Sequence, residues 1–159
     1  MNAILLPPVI AKQIEAEGVA AYPNECCGIL IGTDGGAGRI VERIIPMANT
    51  FDPNEQYHRF TIDPLALARA DEAAAKEGKA VIGFYHSHPD HPARPSEYDR
   101  THVPPWSFYS HIIVAIEKRK PAAMTCWVMN EATEQFDEQQ IVRSSGSPGS
   151  GGCQSVAVG

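Results

Sequence analysis

An apolar run that ends in two closely spaced histidines constrains the fold and chemistry of this chain more than any other feature. Residues 80–85 are apolar and aromatic, as is typical of a buried strand, and His86 and His88 follow directly. Alternate residues of a strand share a face, so the two imidazoles should point the same way. After a proline-rich turn, Ser96 can cap a short helix that contains Asp99. Positions three apart on a helix are neighbours, so Ser96 and Asp99 should meet the same ion.

This arrangement predicts a catalytic metal site. His86, His88 and Asp99 offer two imidazoles and one carboxylate, and catalytic zinc typically has three protein ligands and leaves the fourth position to water. We therefore expect one Zn²⁺ per chain with a hydrolytic role. The alternative is that the two histidines form an ordinary polar strand end and bind no metal.

The complete spacing resembles the JAMM motif of the JAB1/MPN/Mov34 metalloprotease family. Residues 22–30 resemble a second signature of that family, with proline, glutamate, cysteine and glycine in order and Glu25 at the glutamate position. The resemblance implies that zinc is held by His86, His88 and Asp99. It also implies that Glu25 is the general acid/base and that Ser96 lies beside the oxyanion. The alternative for Glu25 is a solvated carboxylate at a helix end.

Two further segments, residues 45–50 and 57–63, resemble the small prokaryotic JAMM proteins, including the CysO-cysteine peptidase type. The resemblance implies a peptidase or isopeptidase that cleaves after the C-terminal Gly-Gly of a ubiquitin-fold partner, such as a sulfur carrier. Asn49 is expected to form a turn and Phe60 to pack in the core; the alternative for each is a direct contact with the substrate. The alternatives are a zinc hydrolase of small peptides or amides and a non-catalytic MPN interaction module. The sequence leaves the oligomeric state open, with a homodimer as one option.

Local patterns predict an α/β fold, since strands are interleaved with two or three helices. The resemblance implies an MPN/JAB1-like, cytidine-deaminase-like mixed sheet flanked by helices. The predicted helices are residues 7–20 and 63–77, and the predicted strands are residues 28–32 and 39–47 as a hairpin, 80–85, 110–117, 124–130 and one that ends near Val142.

The 159 residues suffice for a single core, and we expect one catalytic domain over residues 1–143. Residues 144–159 are rich in glycine and serine, a composition typical of a flexible tail. That tail contains Gly151 and Gly152, which resemble the diglycine that ubiquitin-like substrates present to JAMM enzymes.

Composition argues against several classes of partner. The net charge of −6 and the lack of a basic stripe argue against nucleic-acid binding. No apolar run reaches the roughly 18 residues of a membrane span, and no N-terminal targeting pattern is visible, so we expect a cytoplasmic protein.

The remaining reactive side chains are expected to be structural. The four cysteines, Cys26, Cys27, Cys126 and Cys153, have no metal-binding spacing and should be reduced thiols rather than nucleophiles. Among the other histidines, His91 and His102 are either exposed loop residues or assist the site, and His58 and His111 are expected to be structural. Trp106 and Phe108 are candidates for an apolar lip near the site or for core packing.

Overall fold

Among the residues that the structure describes, eight strands form one mixed sheet that carries the helices. The computed structural model describes residues 3–36, 38–102 and 108–144, with the backbone alone for residues 100–102. The elements are β1 (Ile4–Leu5), α1 (Pro8–Ala21), β2 (Cys27–Gly35), β3 (Gly38–Met47), a 3-10 turn (Pro53–Glu55), α2 (Pro64–Lys76), β4 (Ala80–Pro89), α3 (Glu97–His102), β5 (Ser110–Glu117), β6 (Lys120–Asn130), β7 (Gln135–Gln139) and β8 (Ile141–Val142).

The strand order is β7-β6-β5-β4-β2-β3-β1-β8, so β4 and β2 lie at the centre of the sheet. The pairs β4–β5, β1–β3 and β1–β8 are parallel, and the remaining pairs are antiparallel. The predicted α/β class, a mixed sheet flanked by helices, is confirmed.

Both faces of the sheet are covered because side chains alternate along each strand. On β2, Leu30 packs in the cluster that contains Ile10 and Ile14 of α1. Its neighbours Ile29 and Ile31 pack instead with buried alanines of α2. The central strands are therefore buried on two sides, which explains why β2 and β4 read as nearly continuous apolar runs.

The start signals of the helices are confirmed. Helix α1 begins with Pro8 at its first turn, one residue after the predicted start. Helix α2 begins where the Asp63 carboxylate accepts a hydrogen bond of 3.1 Å from the backbone N–H of Leu65. An N-cap aspartate followed by proline needs no tertiary information, so sequence located this boundary correctly.

The strand predictions differ from the structure mainly at short connections. The hairpin of β2 and β3 is confirmed, and β5 has the predicted bounds. Strand β6 begins at Lys120, four residues earlier than expected, because the turn consists only of Lys118 and Arg119 with φ of 50° and 69°. Such a two-residue turn with positive φ values lets both strands continue to its edges. The predicted last strand is divided into β7 and β8, and β1 was missed because two residues carry no periodicity.

The predicted C-terminal tail and the expected lack of a membrane span are considered next. Residues 145–159 of the predicted tail lie outside the described residues, so the domain division stays a prediction. Within the described part of the chain, no helix combines the length and apolar character needed to cross a bilayer.

Close backbone approach at Gly32 shapes the centre of the sheet. The pairing register of β2 with β3 shifts between Ile31 and Gly32. A Cβ at position 32 would lie 1.8 Å from the carbonyl oxygen of Ile40, which is backbone and cannot rotate away. Only glycine fits without moving β3.

We expect Gly32→Ala to lower the free energy of unfolding by about 1–3 kcal/mol, the usual range for overpacking. Gly35→Ala in the same strand is the matched control, because a Cβ there would meet nothing within 4 Å. Its effect should stay within about 0.5 kcal/mol. Urea unfolding followed by circular dichroism measures both, and equal losses in the two variants would contradict the assignment.

Candidate active site

Three buried side chains converge at the end of β4. The Nε2 atoms of His86 and His88 lie 3.1 Å apart, which confirms that the two imidazoles share a face. The Oδ2 atom of Asp99 lies 3.5 Å from Nε2 of His86 and 3.4 Å from Nε2 of His88. The structure thus brings together three side chains that the sequence predicts as ligands, and they form a cluster able to hold a metal ion.

The separations within this cluster fit a tetrahedral ion. Ligand atoms at 2.0–2.2 Å from a tetrahedral zinc are separated from one another by about 3.3 Å. The three observed separations, from 3.1 to 3.5 Å, bracket that value. Two imidazole nitrogens and a carboxylate oxygen are also the donor types that Zn²⁺ binds in catalytic sites.

A hydrogen bond orients His88, and a ring contact packs against His86. The Nδ1 atom of His88 lies 2.8 Å from the carbonyl oxygen of Pro92, so Nδ1 carries the proton and Nε2 keeps its lone pair for an ion. The ring of His86 stacks on Phe60, with ring centroids 4.6 Å apart. Burial lowers the pKa of His86, which favours the neutral imidazole that a metal requires. Phe60, predicted to pack in the core, is half-buried and packs against the ring of His86.

Asp99 is placed by the predicted cap of α3. The backbone N–H of Ser96 donates to Oδ2 of Asp99 at 2.9 Å, and the backbone N–H of Asp99 donates to Oγ of Ser96 at 3.0 Å. Burial opposes ionisation of Asp99, but His86, His88 and the Ser96 N–H together hold its pKa below the ordinary range. The carboxylate is therefore charged and oriented before an ion arrives.

Glu25 lies in the same cavity as His88 with a carboxylate that lacks a partner. The side chain is buried, 5% exposed, and its Oε1 atom has no hydrogen bond within the described part of the protein. Burial raises the pKa of Glu25 well above its ordinary value, and the charge of Asp99 adds to that effect. The alternative of a solvated helix-end carboxylate is therefore wrong.

Asn49 holds the segment that carries Glu25. Its side-chain amide donates to the carbonyl oxygens of Glu25 at 3.2 Å and Arg59 at 2.9 Å. Its Oδ1 atom accepts from the backbone N–H groups of Phe51 and Thr61. The expected turn-forming role is confirmed by the contact with Phe51, and the same side chain additionally joins two walls of the site.

Ser87 is a supporting residue that the sequence analysis missed. Its Oγ atom accepts a 2.8 Å hydrogen bond from the backbone N–H of Cys26, the residue after Glu25. The backbone N–H of Ser87 also donates to the carbonyl oxygen of Cys26 at 3.2 Å. The signal for Ser87 in the sequence is its position between two predicted ligands, which places its side chain on the opposite face of β4.

A cavity of about 460 Å³ opens beside the cluster. Its lining residues are Glu25, His58, Arg59, His88, His91, Pro92, Arg94, Pro95, Ser96, Glu97 and Tyr98. His58, expected to be purely structural, therefore reaches the cavity wall, where its Nε2 atom lies 2.7 Å from Oε1 of Glu55. The sequence analysis also missed Arg59, Arg94 and Tyr98 as lining residues. Arg59 meets the ring of Tyr98 only through tertiary folding.

Phe108 and His111 do not line this cavity. Phe108 is 72% exposed beside Met129 and is not among the lining residues. The reason is that Ser110 pairs with Gly83, so Phe108 precedes β5 at the end of β4 that is remote from the histidines. His111 is buried and stacks on Phe84, in keeping with a structural role. Trp106, Cys153, Gly151, Gly152 and the side chain of His102 lie outside the described residues.

The described cysteines are poor nucleophiles. Cys27 is buried, and its thiol donates to the carbonyl oxygen of Met47 at 3.6 Å. Burial raises the pKa of Cys27 to about 12 and that of Cys26 to about 11. Both thiols are therefore protonated at neutral pH, in agreement with the expected structural role.

Comparison with proteins of known name finds relatives of moderate identity. The chain is 35% identical over 108 residues to desampylase of Haloferax volcanii, covering 67% of this chain and 73% of that protein. It is 33% identical over 96 residues to a probable TtuB-protein conjugate cleaving protease of Thermus thermophilus, covering 60% of each chain. A 34% identical match to tail tip assembly protein K of Escherichia phage N15 spans only 37% of the phage protein.

Solved structures show the same fold. A solution structure of a protein from Desulfitobacterium hafniense has a TM-score of 0.76 at 32% identity, covering 89% of this chain and 92% of that one. A JAB1/MPN domain protein from Archaeoglobus fulgidus has a TM-score of 0.51 at 22% identity, covering 90% of this chain and 100% of that one, and shows the fold alone.

The family model that matches spans most of the described structure. It is that of the prokaryotic homologs of the JAB domain, and it matches residues 7–130, which include β2, β4 and the four side chains of the site. Sequence, fold and relatives agree, and the chain belongs to the family of prokaryotic homologs of the JAB domain.

Proposed function

We propose that this chain is a zinc-dependent peptidase that hydrolyses the amide bond after the C-terminal Gly-Gly of a ubiquitin-fold protein. The motif resemblance of residues 45–50 and 57–63 supports a ubiquitin-fold substrate. One relative is named a desampylase, and another is named as a protease that cleaves protein conjugates. These names support amide hydrolysis on a protein substrate.

The observation that carries this proposal is the carboxylate of Glu25. A buried polar atom without a partner is unfavourable unless function requires it. Oε1 of Glu25 is such an atom, and Glu25 shares a cavity with the ligand candidate His88. An interaction module without catalysis gains nothing from a buried, unpaired carboxylate at this position.

The residues divide the reaction into distinct tasks. His86, His88 and Asp99 would hold Zn²⁺, which supplies an activated water and polarises the scissile carbonyl. Glu25 takes the proton of the attacking water and later delivers it to the leaving amine. Burial suits this task, because it raises the pKa of Glu25 towards neutral pH, where a general acid/base works best.

Ser96 is positioned to assist the carbonyl oxygen of the substrate. Its Oγ atom accepts from the backbone of Asp99, and its own proton has no acceptor within the described part of the chain. The residue lines the cavity, so the hydroxyl can donate to the oxyanion that develops during attack.

The direct test is mass spectrometry of ubiquitin-fold carriers incubated with the zinc-loaded protein. Each carrier ends in Gly-Gly and is extended either by one residue or by an isopeptide bond to lysine. Release of a carrier that ends in Gly-Gly supports the proposal. Hydrolysis of short peptides without cleavage of any carrier would favour a small-substrate hydrolase, and no hydrolysis at all would favour an interaction module.

Glu25→Gln should retain the metal and lower kcat by about two to four orders of magnitude, the usual scale for a general acid/base. The amide fills the same space but cannot accept the proton of water. Glu72→Gln, an exposed change on α2, is the matched control and should leave kcat unchanged. Steady-state kinetics with zinc quantified in each preparation measures the effect. A fully active, zinc-loaded Glu25→Gln protein would contradict the assignment of the base.

Asp99→Ala should instead lose the metal, because it removes one of three ligands and leaves two. Elemental analysis should find about one zinc per wild-type chain and far less in the variant. A metal bound to the native state raises its stability, so EDTA should lower the unfolding temperature of the wild type but not that of the variant. Equal responses to EDTA would show that the ion binds elsewhere.

A further inference from the structure

The two histidines of the site are oriented by different kinds of contact. The Nδ1 atom of His88 lies 2.8 Å from the carbonyl oxygen of Pro92. The ring of His86 lies against the ring of Phe60, with centroids 4.6 Å apart and planes inclined by 28°. A histidine side chain has broad preferences for the torsion that turns its ring, so the orientation of a buried imidazole depends on its surroundings. Phe60 therefore restricts the ring of His86 from one face.

Phe60 lies in the connection between β3 and α2, outside both elements, so its own position needs support. Asn49 provides that support by bonding to the residues on both sides of Phe60. Its side-chain amide donates to the carbonyl oxygen of Arg59 at 2.9 Å, and its Oδ1 atom accepts from the backbone N–H of Thr61 at 3.2 Å. The backbone N–H of Thr50 also donates to the carbonyl oxygen of Thr61 at 3.0 Å. The backbone that carries the aromatic ring is thus held before and after it.

The same connection is fixed to the segment that carries Glu25. The Asn49 amide donates to the carbonyl oxygen of Glu25 at 3.2 Å, and the carbonyl oxygen of Gln56 accepts from the backbone N–H of Glu25 at 2.8 Å. The side-chain amide of Gln56 donates to the carbonyl oxygens of Asn49 at 3.1 Å and Phe51 at 2.8 Å. A ring carried by this connection therefore has a defined position relative to the site.

A restricted imidazole binds a metal ion more tightly than a mobile one, because less freedom is lost when the ion binds. His86 is only 3% exposed, so its ring is surrounded by protein. A flat aromatic face restricts the ring without engaging either of its nitrogens and without adding a charge. Groups that orient a metal ligand typically change metal affinity by about tenfold to a hundredfold.

We infer that Phe60 is a positioning residue, which holds the ring of His86 in the orientation that binds Zn²⁺, and that Asn49 acts through Phe60 as its clamp. The inference rests on the zinc site of the proposed function and specifies which residues outside the ligand set determine its metal affinity. The connection between β3 and α2 then contributes to metal binding although it supplies none of the three candidate ligands.

The first test measures zinc affinity by competition with a chromophoric chelator. Phe60→Ala should raise the Kd for Zn²⁺ by about tenfold to a hundredfold, whereas Phe60→Tyr keeps the ring and should stay within about threefold of the wild type. Phe51→Ala is the matched control, because Phe51 is also half-buried in this connection but packs edge-on against Tyr98, with ring centroids 6.2 Å apart. Its Kd should also stay within about threefold of the wild type.

Two further readouts separate positioning from a general loss of structure. Circular dichroism of the metal-free proteins shows whether each variant is folded. Phe60→Leu retains most of the apolar volume but lacks the flat face, so it should fold and still raise the Kd by about threefold or more. Co²⁺ in place of Zn²⁺ reports ligand geometry through its visible absorption, which should change in Phe60→Leu and stay unchanged in Phe51→Ala.

A double-mutant cycle tests the clamp. Asn49→Ala removes the side-chain hydrogen bonds on both sides of Phe60 and should raise the Kd for Zn²⁺ by about tenfold. Because both residues act through one ring, the double variant Asn49→Ala with Phe60→Ala should bind zinc about as weakly as Phe60→Ala alone. Additive losses, or an unchanged Kd in Asn49→Ala, would overturn the role of Asn49.

The same zinc affinity in the wild type, Phe60→Ala and Phe60→Leu would overturn the inference, and so would an equal loss in Phe51→Ala. These outcomes are separate from a failure of the proposed function. Cleavage of a carrier by a protein whose zinc affinity is independent of Phe60 keeps the proposed function and removes the inference. A zinc site that depends on Phe60 in a protein that cleaves no carrier keeps the inference and removes the proposed peptidase. A wild type that binds no zinc removes both.

Discussion

The pairing of β2 with β4 is the interaction on which the site depends. Their antiparallel register places Cys27 opposite His86 at the centre of the sheet. The two hydrogen bonds between Ser87 and Cys26 extend that pairing by one residue in the direction of Glu25. A shift of one residue would turn every side chain of a strand to the other face, so this register determines whether the carboxylate of Glu25 and the imidazoles meet.

The buried charges of the site are compensated very unequally. Asp99 receives hydrogen bonds and lies beside two imidazoles, so its negative charge is stabilised throughout. Oε1 of Glu25 has no hydrogen-bond donor among the described residues, and burial favours the neutral form of this side chain. One carboxylate is thus suited to constant coordination and the other to a change of protonation. Two acids that interact electrostatically are suited to different roles because their surroundings differ.

Sequence predicts the parts of this protein that local patterns encode. The imidazole pair, the cap at Ser96 and the N-cap at Asp63 each depend on residues close in the chain, and each is confirmed in place. Periodicity cannot reveal that Arg59 stacks on Tyr98, because these residues belong to different segments and approach only in the folded state.

The apolar lip suggested for Phe108 is wrong because it, too, depends on tertiary structure. Its nearness to the motif along the chain suggested nearness in space, but the parallel pairing of β4 with β5 returns the chain to the opposite end of the sheet. A parallel neighbour requires such a crossover, so residues just before β5 must lie far from the end of β4.

The position of β4 also has a consequence for biosynthesis. The hairpin of β2 and β3 involves contacts between close neighbours in sequence and can form early, whereas β4 must add to β2 across a separation of 61 residues between Ser87 and Cys26. Glu25 and the two histidines of β4 therefore meet only after β4 has entered the sheet. During translation, the amino-terminal segment carries Glu25 without the imidazoles beside it, and the candidate site can assemble only after β4 and Asp99 have been made.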